Sequence, residues 1–200
     1  MKAQPTIVHL HIMKRPLRRA LENVDGVYLN ITLKVGMMLE KIKTNAMRIL
    51  DREKIKYSTY TYDHSDGIID GISVANKMGI ADERVYKTLV TQGASREYYV
   101  YVIPVAEELD LKAAARAVGE KSVEMIKVVD INKVTGYIRG GCSPIGMKKS
   151  YKTVLDRSSE GLDTIIVSAG KIGHQIELAP VDLIKLTHCT IERVTVQRSL

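Results

Sequence analysis

The sequence predicts an α+β fold in which a mixed, mainly antiparallel β-sheet curls toward a barrel and helices surround it. Strand-like runs are joined by tight turns, whereas parallel neighbours need a crossover of about a dozen residues, so antiparallel pairing is favoured. Helical segments lie between groups of strands without the strict alternation that is typical of a doubly wound parallel sheet. No internal repeat or low-complexity segment interrupts this pattern.

The first elements predicted after residue 40 are a helix, a strand and a second helix. Thr44 or Asn45 can cap a helix that continues to about residue 54, because either side chain can accept a hydrogen bond from a first-turn N–H. The run YSTYTY at 57–62 has the composition of a strand. Residues 71–79 predict a short helix closed by a glycine. Its inward row is Ile72, Ala75 and Met78.

A β-hairpin and a third helix follow. The strand-like runs 84–91 and 97–104 flank the turn residues QGAS at 92–95. Asp110 can begin a helix that Gly119 stops. The apolar stripe of this helix, which should face a core, is Leu111, Ala114, Ala115 and Val118.

The rest of the chain continues the mixture of short helices and strands. Residues 122–128 and 130–135 are helical candidates, and Pro180 stands at a favourable first-turn position of a helix over 180–187. The glycine-containing run AGKIG predicts a turn between two strands. The strand-like runs are 137–141, 152–156, 164–169 and 175–178.

The composition is that of a globular protein with an excess of basic residues. Thirty Lys and Arg against 23 Asp and Glu give a net charge of +7, which favours a polyanionic partner such as nucleic acid, although a solvated basic surface fits as well. The two cysteines cannot form a disulfide scaffold. No apolar stretch approaches the roughly 20 residues that cross a bilayer. We therefore expect a cytoplasmic protein without a membrane partner.

Residues 1–40 lack the regular helix-capping and turn residues of the rest of the chain. They lack clear caps, a continuous apolar core and a small-residue cleavage site, which argues against a secretory signal. We expect an N-terminal extension, disordered or produced by an upstream start codon assigned in error. The alternative is a short strand pair, since VYLNITL has strand composition. Residues 41–200 are then the functional domain.

Metal and nucleotide motifs are weak in this sequence. The histidines have no cysteine or carboxylate partners at ligand spacing, so the sequence predicts no metal site. The run GCSPIGMKK at 141–149 imitates a phosphate-binding loop, but Met147 stands where that loop requires lysine. What survives is a glycine-rich bend over 140–144. Its backbone could approach a ligand closely, or the bend could be an ordinary tight turn.

Lys87 is the most informative single residue. It shares one face of the strand Val85–Val90 with Val85 and Leu89, so its ammonium is partly desolvated if that face is inward. A lysine on a core face needs a partner or a function. The opposite face is also apolar enough to be buried, so periodicity leaves both orientations open.

Five segments together resemble a known family. They are KTNAMRILD at 43–51, VYKTLVTQG at 85–93, IPVAEELDLKAAARAVGEKSVEM at 103–125, TGYIRGGCSPIGMKK at 135–149 and IIVSAGKIGHQIEL at 165–178. In this order they closely resemble the YbaK/EbsC family of aminoacyl-tRNA deacylases. The resemblance runs from about residue 41 to the C-terminus. It implies the fold of the YbaK and synthetase-associated editing domains.

The resemblance implies a trans-editing function. Prolyl-tRNA synthetase cannot strongly reject cysteine by size, since one methylene discriminates by only about 1–3 kcal/mol. A freestanding enzyme of this family removes cysteine from Cys-tRNA(Pro), and acts also on Cys-tRNA(Cys). The family uses no cofactor and no metal: the substrate thiol attacks its own carbonyl and leaves as a thiolactone, which is lyase chemistry. Prolyl-tRNA synthetase and the tRNA 3′-end are the implied partners.

The resemblance also implies site residues. The essential lysine of the family corresponds to Lys87, and its substrate-binding loop to Gly140, Gly141, Cys142, Ser143 and Pro144. Tyr62 corresponds to a pocket-lining tyrosine and Ser168 to a serine near the site. Two positions depart from the family pattern: Gln175 replaces an aspartate and Asp70 a phenylalanine of some members. Because glutamine donates as well as accepts hydrogen bonds, recognition of the α-amino group can differ.

Two alternatives remain at this point. An alanyl-tRNA(Pro) hydrolase would use the same fold on a substrate without a thiol. A non-catalytic module that binds tRNA or synthetase would keep the fold and lack turnover, although the retained Lys87 argues against it. Lys148, Lys149, Lys152 and Lys171 could contact tRNA phosphates or could be ordinary solvated lysines.

Overall fold

A computed structural model describes residues 42–197, so the predicted extension over residues 1–40 lies outside the described residues. The helices are α1 (Asn45–Arg52), α2 (Gly71–Met78), α3 (Leu111–Val118), α4 (Ile131–Thr135) and α5 (Pro180–Thr187). The strands are β1 (Ser58–Thr61), β2 (Tyr86–Gly93), β3 (Tyr98–Pro104), β4 (Val123–Met125), β5 (Lys152–Asp156), β6 (Ile165–Lys171), β7 (His174–Leu178) and β8 (Thr190–Glu192). None of these helices is long and apolar enough to cross a membrane.

The strands divide between two sheets. A three-stranded antiparallel sheet has the order β1-β7-β6, and a five-stranded mixed sheet has the order β4-β2-β3-β5-β8. The predicted α+β class is therefore confirmed, with parallel pairing of β5 to β3 and to β8 inside a sheet that is otherwise antiparallel. An isolated parallel bridge between Val85 and Ile166 links the two sheets. The curling of the sheet toward a barrel stays a prediction.

The helix N-termini follow from their capping residues. The Thr44 hydroxyl accepts a hydrogen bond from the Met47 N–H at 3.2 Å and begins α1. Asp70 caps α2 in the same way through Ser73, and Gly79 ends that helix in the left-handed conformation. Asp110 caps α3. All three helices thus begin where the sequence predicts.

Two apolar helix residues that were predicted to face the core are exposed. Ile72 on α2 is 46% exposed and Leu111 on α3 is 41% exposed. On α2 the buried residues are Val74 and Ala75, because a helix turns every 3.6 residues and a row built only on steps of three drifts off the inward face. On α3 the buried residues are Ala114, Ala115 and Val118, and only the N-terminal Leu111 of the predicted stripe stays in solvent.

Three short segments differ from the prediction. Residues 122–128 were predicted to be helical, but Val123–Met125 is strand β4 and pairs with the end of β2. Residues 137–141 form no strand, since Gly140 has a φ of +80° that turns the chain. Strand β8 was not predicted at all. Strands β4 and β8 have three residues each, which is too short to show an alternation of apolar and polar side chains. Pairing with the neighbouring strand therefore decides their conformation.

The two faces of the three-stranded sheet are covered differently. One face carries Ile165, Val167 and Ile176, which belong to the largest core cluster, beneath α1 and α5. On the other face Ile166 packs with Ala75 of α2. Beyond the part that α2 covers, this second face carries polar side chains, and these positions form the candidate site.

Candidate active site

Lys87 lies on β2 with its side chain half-buried. Its ammonium donates a hydrogen bond to the Val105 carbonyl oxygen at 3.0 Å. Burial lowers the pKa of Lys87, while the nearby carboxylates of Glu108 and Glu107 act in the opposite direction and favour the charged form. The inward orientation of this lysine, which strand periodicity could not decide, places a partly desolvated cation at the sheet surface.

The carbonyl that binds Lys87 is held in place by the start of α2. A Cβ atom added to Gly71 would collide with the Val105 side chain, so only glycine lets the helix approach this closely. The sequence analysis missed Gly71 and Val105. A glycine as the first residue of a helix was the available signal, because other residues are better helix formers and glycine there indicates a close approach.

Three predicted binding residues are buried polar groups near the β6–β7 hairpin. Ser168 of β6 pairs in register with Gln175 of β7, so their side chains share one face. Tyr62 follows β1, and its N–H donates to the Gly173 carbonyl in the hairpin turn at 3.1 Å. All three side chains are at least nine-tenths buried.

Two of these groups have no hydrogen-bond partner among the described residues. They are the Tyr62 hydroxyl and the Gln175 carbonyl oxygen Oε1. A buried polar atom without a partner costs about 1–3 kcal/mol, and such groups are rare in folded proteins. Unpaired atoms on two neighbouring side chains therefore indicate where polar groups of a ligand would be received.

The register of the sheets brings Lys87 to the same side. The parallel bridge joins Val85 to Ile166, and Lys87 and Ser168 each stand two residues beyond this pair. Bridge partners point their side chains to one side and the pleat repeats every two residues. The side chains of Lys87, Ser168 and Gln175 therefore point to the same side at the junction of the two sheets, and we call these three residues the active row.

The predicted loop 140–144 is divided between this site and the core. Gly140 lies against Ile69 just before α2, and a Cβ on Gly141 would be 3.1 Å from the Ile172 nitrogen in the β6–β7 turn. The structure thus brings Gly140 and Gly141 to the edge of the row. Ser143 is fully buried instead, and its hydroxyl accepts from the Ile145 N–H at 3.2 Å. Pro144 lines a separate cavity.

Cys142 turns away from the row. Its side chain packs against the apolar cluster of Val90, Val100 and Val134. Burial raises the pKa of its thiol to about 11, so the thiol is protonated at neutral pH. A protonated thiol inside an apolar cluster is a packing residue, and the geometry gives it no means to attack a substrate.

A second polar cluster, missed by the sequence analysis, lies on the same sheet face at Glu177. Its carboxylate forms an ion pair with Arg84 and accepts hydrogen bonds of 2.6 Å from Thr164 and from Tyr60. Burial raises the pKa of Glu177, but the three donors outweigh it and the net pKa is lowered. The sequence offered one signal for Glu177: it stands two residues after Gln175 on a strand, so the two side chains share one face.

Asp70 has a structural role. Its carboxylate accepts the Ser73 N–H at 3.0 Å as the cap of α2, and this hydrogen bond lowers its pKa. A phenylalanine at this position could not cap the helix. Across residues 42–197, no group of three or more His, Cys, Asp or Glu side chains could hold a metal ion.

Comparison with known proteins identifies the family. Residues 71–186 match the aminoacyl-tRNA editing domain. The chain belongs to this family. It is 48% identical over 153 residues to a protein of Enterococcus faecalis that carries the provisional name Cys-tRNA(Pro)/Cys-tRNA(Cys) deacylase EbsC, covering 76% of this chain and 93% of that protein. The predicted membership of the YbaK/EbsC family is confirmed.

Solved structures share the fold at low sequence identity. One, described provisionally as a trans-editing enzyme for prolyl-tRNA synthetase, has a TM-score of 0.65 at 20% identity and covers 76% of this chain and 93% of that chain. Another, the hypothetical protein APE2540, has a TM-score of 0.67 at 18% identity and covers 74% of this chain and 96% of that chain. At these identities the match concerns the fold alone.

Proposed function

We propose that this protein is a trans-editing deacylase that removes cysteine from Cys-tRNA(Pro) and also acts on Cys-tRNA(Cys). The observation that carries the proposal is the row of Lys87, Ser168 and Gln175, in which a half-buried cation shares one side of the sheet junction with a buried serine and with a buried glutamine whose Oε1 has no partner among residues 42–197. Membership of the editing family supplies the class of reaction, and the name of the Enterococcus faecalis relative supplies the amino acid.

Each site residue has a proposed role. Lys87 is the catalytic residue, whose ammonium stabilises negative charge that develops at the ester and favours ionisation of the substrate thiol. Tyr62, Ser168 and Gln175 hold the aminoacyl group by hydrogen bonds. Gly140 and Gly141 bring backbone groups to the 3′-terminal ribose. Cys142, Ser143 and Pro144 contribute by fixing that backbone from the core side.

The proposed reaction needs no enzyme nucleophile. The cysteine sulfur loses its proton and attacks its own ester carbonyl carbon, a C–S bond forms and the C–O bond to the ribose breaks. The ribose oxygen leaves with a proton, and the amino acid departs as a thiolactone. Holding the thiol against the ester supplies the rate, since intramolecular effective molarities reach about 10⁵–10⁸ M.

The partners and boundaries follow from this assignment. The enzyme would act in the cytoplasm on the aminoacylated 3′-end of tRNA(Pro), together with prolyl-tRNA synthetase. Residues 41–200 form the proposed deacylase domain, and residues 1–40 are an extension outside it. The match to the editing domain over residues 71–186 lies within the proposed domain.

The test is deacylation of Cys-tRNA(Pro) and Ala-tRNA(Pro) side by side, with product analysis by mass spectrometry under an amine trap for thiolactone. We expect rapid loss of cysteine as trapped thiolactone and slow loss of alanine, which has no thiol with which to cyclise. Equal rates with free amino acids as products would contradict cyclisation and favour the hydrolase. Binding of tRNA without turnover of either substrate would favour the alternative of a non-catalytic binding module.

A further inference from the structure

A groove outside the active row lies behind the far end of the 140–144 loop. It is a cavity of 440 Å³ between the end of α1, residues 144–153 and the end of α5. Its lining contains Arg52, Lys149, Lys152 and His188 and no carboxylate. A second cavity of 360 Å³, beside β4, is lined by Glu124 and Asp130 as well as Lys127. The two cavities therefore differ in charge although they are similar in size.

The cations of this basic groove that remain available to a ligand are Arg52 and Lys149. Arg52 pairs with Glu53 at 2.9 Å, but both side chains are strongly exposed, and such pairs are worth about 0–1 kcal/mol and exchange partners readily. Lys149 is exposed. Lys152 contributes only the aliphatic part of its side chain to the groove, because its ammonium donates a hydrogen bond to the Val118 carbonyl at 3.0 Å. Of the four lysines suggested by the sequence for phosphate contact, Lys149 alone is a free cation of this groove.

The lining of the basic groove also includes an aromatic residue, whose ring packs on one side against the cluster of Val90, Val100 and Val134. This residue, Tyr151, is fixed in place, since its hydroxyl donates to the Val134 carbonyl at 2.8 Å and its ring packs edge-to-face on Tyr98. Cations that follow a backbone, with an aromatic ring on which bases stack, are the two elements of single-stranded nucleic-acid binding.

The loop connects this groove to the active row. Gly141 lies in the edge of the row and Pro144 lines the groove, and three residues of chain span at most about 10 Å. We propose that the basic groove binds the unpaired nucleotides of the tRNA 3′-terminus, with Arg52 and Lys149 on phosphates and Tyr151 under a base. The inference rests on the proposed function for the identity of the RNA. It places that RNA on the Pro144 side of the loop.

The experiment measures binding of uncharged tRNA(Pro) to the full chain over a range of salt, so it does not depend on turnover. The variant is Arg52→Gln/Lys149→Gln. The control is Lys121→Gln/Lys127→Gln, which removes the same charge from exposed lysines near the other cavity. A further arm uses tRNA that lacks its last four nucleotides.

We expect the groove variant to bind about tenfold more weakly and to flatten the slope of log K against log salt by about 1.4, since each phosphate contact of a single strand contributes about 0.7. The control pair should keep the wild-type slope, and the difference between groove variant and wild type should vanish on truncated tRNA. An unchanged slope, an equal loss in the control, or a loss that persists on truncated tRNA would overturn the proposal. Absence of deacylation with these binding results would count against the proposed function alone.

Discussion

The two ends of one sheet face differ in how their polar groups are satisfied. At the closed end, defined by Arg84, Glu177, Thr164 and Tyr60, the carboxylate is paired by a cation and two hydroxyls. At the open end, defined by Lys87, Ser168, Gln175 and Tyr62, the cation donates to the Val105 backbone carbonyl, and two polar atoms have no partner within residues 42–197. The same sheet face thus carries one polar cluster whose carboxylate is fully paired and one cluster with polar atoms left for a ligand to pair.

The largest effect is expected at the cation of the open end. Lys87→Met keeps a long side chain and removes the charge, and single-turnover deacylation should slow about 10²–10³-fold, the usual loss when one electrostatic stabiliser is removed. Lys148→Met is the matched control, because its ammonium also donates to a backbone carbonyl, that of Asn132, but from an exposed position. A similar loss in both variants would contradict a catalytic role for Lys87.

The second effect separates the two ends by activity and stability. Gln175→Met should lower kcat/KM about 10–100-fold, yet leave the free energy of unfolding unchanged or higher, because a buried oxygen without a partner disappears. Chemical denaturation and deacylation are measured on the same preparation. If Gln175→Met loses stability in proportion to activity, the residue supports the fold and receives no ligand.

The closed end should show the reverse pattern. Glu177→Gln should destabilise the fold by about 1–3 kcal/mol, since Arg84 is left without its ion pair, while the deacylation rate per folded molecule stays near wild type. Retained stability, with a large loss of rate, would move Glu177 into the active site.

The same variant has a predicted pH signature. The pKa of Glu177 in the folded protein is below its ordinary value of 4.5, so its stabilising contribution is present above that value and is lost as the pH falls through the folded pKa. The gap in melting temperature between wild type and Glu177→Gln should therefore narrow on acidification. A gap that stays constant down to pH 3 would show that ionised Glu177 contributes nothing.

The smallest effect is expected at Cys142. Its thiol is protonated and packed against Val90 and Val134, so Cys142→Ala should change the deacylation rate less than about threefold. A small loss of stability is expected from the missing sulfur. A loss of three orders of magnitude in rate would identify an enzyme nucleophile and exclude the substrate-thiol mechanism.

The sequence predicts part of this contrast. Alternation along β2 places the side chains of Lys87 and Tyr86 on opposite faces of the strand. Because both faces of β2 carry buried residues, periodicity cannot show which face is the inward one. The family resemblance supplied the choice, and the burial of Lys87 agrees with it. The resemblance also named Gln175, whereas its unpaired oxygen depends on the register of β6 with β7.

Other features lay beyond the sequence for physical reasons. The closed end is formed by residues 60, 84, 164 and 177, which are far apart in the chain and meet only after the strands pair. In loop 140–144, the two glycines face the site and the later residues face the core because Cys142 packs into an apolar cluster of residues that are distant in the sequence. The starts of α1 and α3 were predictable from Thr44 and Asp110, because a cap acts within one turn of the helix.

The most direct test of the central claim is an NMR titration with a stable amide analogue of 3′-cysteinyl adenosine, which cannot lose its amino acid. The account predicts that the side-chain amide of Gln175 shifts on binding because its oxygen gains a partner, and that the Arg84 side-chain resonances at the closed end do not move. An unmoved Gln175 amide at saturation, with shifts at Arg84 instead, would contradict it.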